Sequence, residues 1–282
     1  MRAARLQLPQ VTICAVDTRT PGAALEGMLR SMAQIDFGDA ILFTDPQRIG
    51  EISEVSDSRI RVLPAQIDSV PAYSDFMLRG LAPHVSTSHV LITQWDGFVI
   101  HPEAWDPAFL LTDYLGAPWI WCERSIAVGN GGFSLRSKKL LDALLDPDFQ
   151  PSHPEDLAIC HRNRDLLVQR HGIRFGDYAL AERFSYEPRR PAQPTFGVHG
   201  FFNFGDFMAD EALSSFVAGL PDAMMRGVDA RNLARNLLRK GRTAVAGQIV
   251  RRRLDLGMRD SKTLRLAVHW GWTRFLNLFR GR

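Results

Sequence analysis

The sequence predicts an α/β protein, a mostly parallel sheet flanked by helices, with a basic α-helical appendage at its C-terminal end. Three observations carry this expectation. Short apolar runs, such as residues 11–16 and His89–Thr93, alternate with stretches of helical period, the rhythm of βαβ units. Both of these runs lead into an acid, Asp17 and Asp96, at the strand ends where open α/β sheets bind ligands. The charge then changes sign along the chain: residues 221–282 hold 15 Lys/Arg against 4 Asp/Glu, or +11, which leaves residues 1–220 at −8 within a net charge of +3. Two parts are therefore expected, 1–220 and 221–282.

Each element has a local reason. Residues 11–16 are apolar enough for a buried strand and end at Asp17-Thr18-Arg19. Pro21 opens a helix whose Leu25, Met28, Leu29 and Met32 share one face. Residues 40–43 and 59–63 are the next strands, the first closed by Thr44-Asp45-Pro46. A helix is predicted over 69–81, with Phe76, Met77 and Leu81 inward and Pro83 as its stop. His89–Thr93 is the strand that delivers Gln94-Trp95-Asp96-Gly97-Phe98. Beyond it the rhythm changes. An aromatic stretch, Tyr114 to Trp119, is broken by Gly116 and Pro118, and a glycine-rich turn, Val128 to Ser134, feeds a predicted helix over 137–145. A second helix is expected over about 154–170.

The 282 residues are 45% hydrophobic and 23% charged, ordinary for a soluble globular protein. Cys14, Cys122 and Cys160 form no CxxC pair, so neither a zinc site nor a disulfide framework is indicated, and Cys14 reads as a small core residue. Residues 1–10 lack the apolar core of a signal peptide, and no run approaches the roughly 18 apolar residues of a membrane span. The expected location is cytoplasmic.

Four local signals occur in order: Trp95-Asp96-Gly97, Gly129-Asn130-Gly131-Gly132-Phe133, Pro154-Glu155-Asp156 and Phe196-Gly197-Val198-His199. Each also has a purely structural reading. The glycines suit a tight turn. Ser152-His153-Pro154-Glu155 matches a capping box, which would leave Glu155 closing a helix N-terminus and Asp156 in its first turn. A histidine among aromatics, as at 199, is commonly packed rather than a ligand.

Taken together, the four signals resemble the inverting galactosyltransferase type of GT-A (Rossmann-like) glycosyltransferase. In that type an Asp-x-Asp ends a strand, a Gly-Gly-Phe/Val-Ser segment follows, a Glu-Asp pair opens a helix and a histidine comes last. More closely, the chain resembles a bacterial and fungal glycosyltransferase-like domain of unknown function over about residues 9–205, with Asp113-Tyr114-Leu115-Gly116-Ala117-Pro118-Trp119 as a further hallmark. The resemblance implies a hexosyl transfer from a nucleotide-diphosphate sugar, a UDP-sugar in the first place, to a glycan or lipid-linked acceptor in polysaccharide synthesis. It implies Asp96 and His199 as ligands of Mn²⁺ or Mg²⁺, a donor set that suits Mn²⁺ better than Ca²⁺. Asp156 would be the general base. Asp17, Thr18, Arg19, Gln94, Gly131 and Gly132 would border the donor, with Tyr73 and Asp75 as further candidates. Gln94 departs from the pattern: it stands where the first Asp of Asp-x-Asp belongs and removes one negative charge. That departure leaves an inactive nucleotide-sugar-binding or scaffold module as the alternative. A metal-dependent phosphoesterase is a further one, although two-metal sites want more clustered acids and histidines.

Trp119 and Trp121 are core candidates or a stacking platform for an acceptor sugar. In the tail, Arg231, Arg235, Arg239, Lys240 and Arg242 recur near helical spacing around Leu233, Leu237 and Leu238, and residues 269–280 mix aromatics, leucines and arginines. Basic amphipathic helices with Trp and Phe lie on anionic membrane surfaces, here the inner face. A helical cap packed on the acidic part is the other reading. No nucleic-acid module is recognised, and no nucleic-acid partner is expected.

Overall fold

Eleven residues, Leu6–Val16 (β1), make the central strand of a sheet that orders everything before Gly200. The computed structural model describes residues 5–52 and 57–280, the side chains of 278–280 excepted. It divides into two compact units, Met1–His199 and Gly200–Arg282.

In the first unit β1 is followed by α1 (Pro21–Met32), β2 (Ile35–Thr44), α2 (Ile49–Ile52), β3 (Ile60–Pro64), α3 (Val70–Asp75) and β4 (His89–Thr93). Then come β5 (Phe98–Val99), β6 (Tyr114–Gly116), β7 (Ser134–Ser137), α4 (Lys138–Ala143), α5 (Glu155–Leu157) and α6 (Arg164–His171). α7 (Tyr178–Phe184), β8 (Ser185–Tyr186) and β9 (Gly197–Val198) complete it. The main sheet has the order β3-β2-β1-β4-β7-β6. β3, β2, β1 and β4 are parallel, β7 runs antiparallel to β4, and β6 antiparallel to β7. This is the mostly parallel α/β sheet that the alternating pattern predicts. β1 buries Val11, Cys14 and Val16 in one core and Ile13 and Ala15 in another, where α1 brings Leu25, Met28 and Met32. Burial on both faces explains why the strand reads as a continuous apolar run.

Three local expectations need correction. The segment after the glycine-rich turn is not a turn leading straight into a helix: Ser134–Ser137 is a strand, and Ser137 then caps α4 by accepting from Leu140 N. Its interior position comes from pairing with both β4 and β6. The helix expected over 69–81 is regular only to Asp75 and continues as a wide π turn over Phe76–Gly80. The helix expected over 154–170 likewise opens into a π turn over Ala158–Arg162, where Asn163 N reaches Ala158 O at 3.0 Å, and resumes as α6.

The second unit is helical. After a 3₁₀ turn over Phe201–Asp206 come α8 (Asp210–Gly219), α9 (Asp222–Arg226), α10 (Val228–Arg239), α11 (Thr243–Asp255) and α12 (Ser261–Arg280). Leu233, Leu237 and Leu238 are buried, as their helical spacing predicts, with Val245, Ile249 and Val250 of α11. The unit begins at Gly200, ahead of the charge shift at 221. Phe201 and Phe204 pack on Phe216 of α8, with ring centroids 5.9 and 4.9 Å apart. Asp206 and Asp210 pair with Lys240 and Arg242, so acids before the shift neutralise bases after it. No helix among the described residues is long and apolar enough to cross a membrane.

Candidate functional site

β1 and β4 lie side by side, and strand order departs from them in opposite directions. The crevice beyond the carboxyl ends of such a pair is where α/β sheets hold ligands. Here it contains a cavity of about 330 Å³. Asp17, Thr18 and Arg19 line it from the end of β1, Tyr73 from α3, and Gln94 and Trp95 from the end of β4. Five of the residues that the sequence analysis marks for donor binding therefore share one cavity. Asp75 does not line it; that residue pairs with Arg79 at 3.6 Å. The Asp17 carboxylate is occupied by the chain itself, accepting from Arg19 N and Thr20 N at 2.8 and 2.7 Å, which fixes the loop entering α1. Thr18 Oγ1 donates to Ile67 O at 2.8 Å.

Gln94 joins this cavity to the metal-ligand candidates. Its amide nitrogen donates to the Tyr73 hydroxyl at 3.0 Å, and its oxygen accepts from His199 Nε2 at 3.2 Å. The same Nε2 lies 3.5 Å from Asp96 Oδ1, and Nδ1 lies 3.2 Å from Glu187 Oε1. Burial works against a charge on His199, but the Asp96 and Glu187 carboxylates outweigh it and raise the imidazole pKa to about 10. Burial also raises the Tyr73 phenol well above its ordinary value, with Glu155 adding to the effect. Gly132 makes room for His199: a Cβ there would sit 2.1 Å from Nε2.

Asp96 offers an oxygen and His199 a nitrogen, the latter only if metal binding displaces its proton, and among the described residues no three His, Cys, Asp or Glu side chains are grouped to hold an ion. The pair still fits a metal in one mode. Neighbouring ligands of an octahedral ion with bonds of about 2.1 Å stand roughly 3 Å apart, and ions such as Mg²⁺ are commonly held by one or two side chains with substrate phosphates completing the shell.

Asp156 lies on the other side of the glycine loop. Its Oδ2 accepts from Gly131 N at 3.2 Å and its Oδ1 from Leu157 N at 2.8 Å. Burial, reinforced by the charge of Glu155, raises its pKa to about 6. A base poised there is largely ionised at neutral pH yet takes a proton readily.

Glu155 does not close a capping box. Pro154 is the N-cap residue of α5 and supplies no side-chain bond. The carboxylate turns inward instead: Arg136 Nη2 donates to its Oε1 at 3.1 Å, and Ser74 Oγ lies 3.5 Å from Oε2. Arg136 is fully buried on β7, and the inward Glu155 is its ion-pair partner. Ser74 Oγ also bonds His153 Nδ1 at 2.9 Å, and His153 and Glu155 both border the cavity. Sequence reasoning missed Arg136, Glu187, Ser74 and His153 as members of this cluster. The one signal was Arg136 itself, a charge amid Phe133, Ser134 and Leu135 in what proves to be a strand.

Fold and site define an α/β protein with a cavity at the carboxyl ends of adjacent parallel strands, flanked by a carboxylate–imidazole pair and a buried carboxylate. The chain belongs to the family described as "Protein of unknown function (DUF5672)", which matches residues 58–199. No curated protein matches it. Among solved structures, the mannosyltransferase PcManGT from Pyrobaculum calidifontis in complex with GDP-Man and Mn²⁺ is 11% identical with a TM-score of 0.40, the match covering 99% of this chain and 90% of that one. TarS 1-349 from S. aureus in complex with UDP is 12% identical with a TM-score of 0.38, covering 82% and 71%. A glucose-1-phosphate thymidylyltransferase from Bacillus anthracis is 11% identical with a TM-score of 0.39, covering 61% and 95%.

Proposed function

We propose that the α/β unit is a nucleotide-sugar-dependent glycosyltransferase of the hexosyl type, acting with inversion on a glycan or lipid-linked acceptor. The observation that carries this is the Gln94 amide, which touches Tyr73 in the cavity on one side and His199 beside Asp96 on the other. A nucleotide seated against Asp17, Thr18, Arg19 and Tyr73 directs its diphosphate toward Asp96 and His199. Gln94 hydrogen-bonds the ribose or phosphate side of the donor without adding charge. Asp96 and His199 would hold Mn²⁺ or Mg²⁺, which would supply positive charge against the leaving diphosphate. Gly131 and Gly132 lie outside the cavity lining and serve the site by letting Asp156 and His199 stand close against the backbone.

Asp156 takes the proton of the acceptor hydroxyl. That oxygen bonds to the anomeric carbon while the bond from the same carbon to the diphosphate oxygen breaks, from the opposite face. Charge is conserved: the proton stays on Asp156 and the electron pair leaves with the diphosphate. Trp121, exposed and only 4.9 Å in centroid distance from Trp119, is the stacking platform for the acceptor sugar.

The test is thermal stabilisation of the wild type and Asp96→Ala by a panel of nucleoside diphosphates, with and without Mn²⁺. A ligand selective for the folded state raises the melting temperature. The expected outcome is a Mn²⁺-dependent shift for one nucleotide, absent in Asp96→Ala. A shift indifferent to both Mn²⁺ and the substitution removes the metal role. No shift with any nucleotide removes the transferase reading. A non-catalytic nucleotide-sugar-binding module is the second reading, favoured by the charge missing at Gln94. Binding without sugar transfer to any acceptor selects it.

A further inference from the structure

Two sets of basic residues in the helical unit contrast. Lys240, Arg242, Arg252 and Arg253 are engaged with Asp206, Asp210, Asp222 and backbone carbonyls. Arg231, Arg235, Lys262 and Arg265 are not: among the described residues none of these side chains makes a hydrogen bond or an ion pair, and the Nε of Arg231 is buried without a partner. These four converge, with His269, around a cavity of about 370 Å³. Arg231 and Arg235 are one turn apart on α10. Lys262, Arg265 and His269 recur on one face of α12. Asp260, two residues before Lys262, is occupied in capping α12, accepting from Lys262 N, Thr263 N and the Thr263 hydroxyl. Four like charges drawn together repel one another unless an anion sits among them.

The next face of α12 is apolar and exposed. Leu264, Val268, Trp272 and Phe275 recur every three or four residues, Val268 being 74% exposed, and the Trp272 and Phe275 rings stack at 5.9 Å. The remaining face packs inward through Thr263 and Leu266, and there Trp270 Nε1 donates to Thr243 O at 3.0 Å. Around the helix the order is therefore packed face, cation cluster, apolar face. A helix lying in a membrane interface needs that order: apolar side chains among the acyl chains and cations level with the phosphates.

We propose that the helical unit docks on an anionic phospholipid surface, with Leu264, Val268, Trp272 and Phe275 inserted and a lipid phosphate held in the cavity between α10 and α12. The cation cluster selects the occupant, since among the described residues no carboxylate pairs with any of its four cations. The apolar face beside it selects lipid over a soluble phosphate. This inference does not depend on the transferase reading.

The test is co-sedimentation of the full-length chain with vesicles of phosphatidylcholine alone, or mixed with phosphatidic acid or phosphatidylglycerol. Binding is expected only to the anionic vesicles. In the variant R231Q/R235Q/K262Q/R265Q it should fall on the order of a hundredfold. A charge-matched variant, R239Q/R251Q/R259Q/R274Q, should lose distinctly less, and Trp272→Ser/Phe275→Ser should weaken binding while preserving the preference for anionic lipid. Circular dichroism and melting temperature verify that each variant is folded. Full-length protein that stays in the supernatant with all vesicles overturns the proposal. So does an equal loss in the two arginine variants, which would reduce the site to net charge. Saturable binding of inorganic pyrophosphate that needs the four cations, without vesicle binding, would assign the cavity to a soluble phosphate and overturn the lipid docking.

Discussion

The α/β unit buries Arg136 and the helical unit buries Arg253, and the two guanidiniums are balanced by different means. Arg136 on β7 meets the Glu155 carboxylate at 3.1 Å. Arg253 on α11 meets the carbonyls of Met225 and Gly227 at 2.6 and 2.9 Å and the Thr263 hydroxyl at 3.1 Å. Burial lowers the tendency of both to hold a proton. At Arg136 the neighbouring Tyr114 and Glu155 reverse that and raise the pKa. At Arg253 burial prevails: Asp260 opposes it, nearby Arg231 adds to it, and the pKa is lowered. Each leaves one nitrogen without a partner, Nη1 in Arg136 and Nε in Arg253. Burial of a charge therefore does not by itself distinguish a site from a joint. The partner does: Arg253 ties α9, the following loop and α12 together through neutral groups, while Arg136 holds a carboxylate in place beside a cavity and beside Asp156.

The contrast can be broken by experiment. The largest effect is expected from Asp156→Asn, which should lower sugar transfer by about 10²–10⁴ while leaving nucleotide binding intact. Single-turnover transfer and calorimetric nucleotide binding check both halves. Next is Glu155→Ala, which strands Arg136 in the core and should cost about 3–5 kcal/mol of unfolding free energy in urea. Combining it with Arg136→Met should recover part of that loss. Arg253→Met should cost less, about 1–3 kcal/mol, since it strands only carbonyls and a hydroxyl. It should leave nucleotide binding unchanged. Nucleotide binding lost as fully in Arg253→Met as in Glu155→Ala would erase the distinction between site and joint.

The smallest expected effect is in pH dependence. The folded-state pKa of Asp156 is raised from 3.8 to about 6. Between those values the folded state binds the proton more tightly than the unfolded state, so this group's contribution to stability falls as pH rises from about 4 to 6 and stays unfavourable above. Transfer should rise over the same interval as the base ionises. In Asp156→Asn both the rise in activity and this part of the stability profile should vanish, leaving a variant slightly more stable than the wild type at neutral pH.

Much of the α/β sheet was legible because β1, β2 and β4 carry runs buried on both faces: residues 11–16 and 40–43 fall within β1 and β2, and His89–Thr93 is β4 to the residue, while the run 59–63 overlaps the more exposed β3 from Ile60 on. β7 was not legible. Its sequence, Ser134-Leu135-Arg136-Ser137, has one apolar residue, and its burial comes from strands distant in the chain. The same holds within the site. Asp17, Thr18, Arg19, Tyr73 and Gln94 could be marked because the glycosyltransferase resemblance assigns them to the donor and because they lie by elements whose ends are visible in the sequence. Glu187, Ser74 and His153 could not, since they matter only through contacts with His199 and Glu155. Glu155 was misread because a local capping pattern matched, and a tertiary ion pair with Arg136 prevailed over it.

The two wide turns, Phe76–Gly80 and Ala158–Arg162, follow directly on α3 and α5, the short helices that carry Tyr73 and Asp156. Each holds one residue more per turn than a regular helix, and such turns recur at functional sites. They make chain length itself a determinant here. Removing one residue between 158 and 162 would shorten the connection from α5 to α6 by one position, across a turn whose Ala158, Ile159 and Cys160 are buried. It would also rotate Asp156 by about 100° relative to the Asn163 anchor, given 3.6 residues per turn. A single-codon deletion there would then separate Asp156 from Gly131.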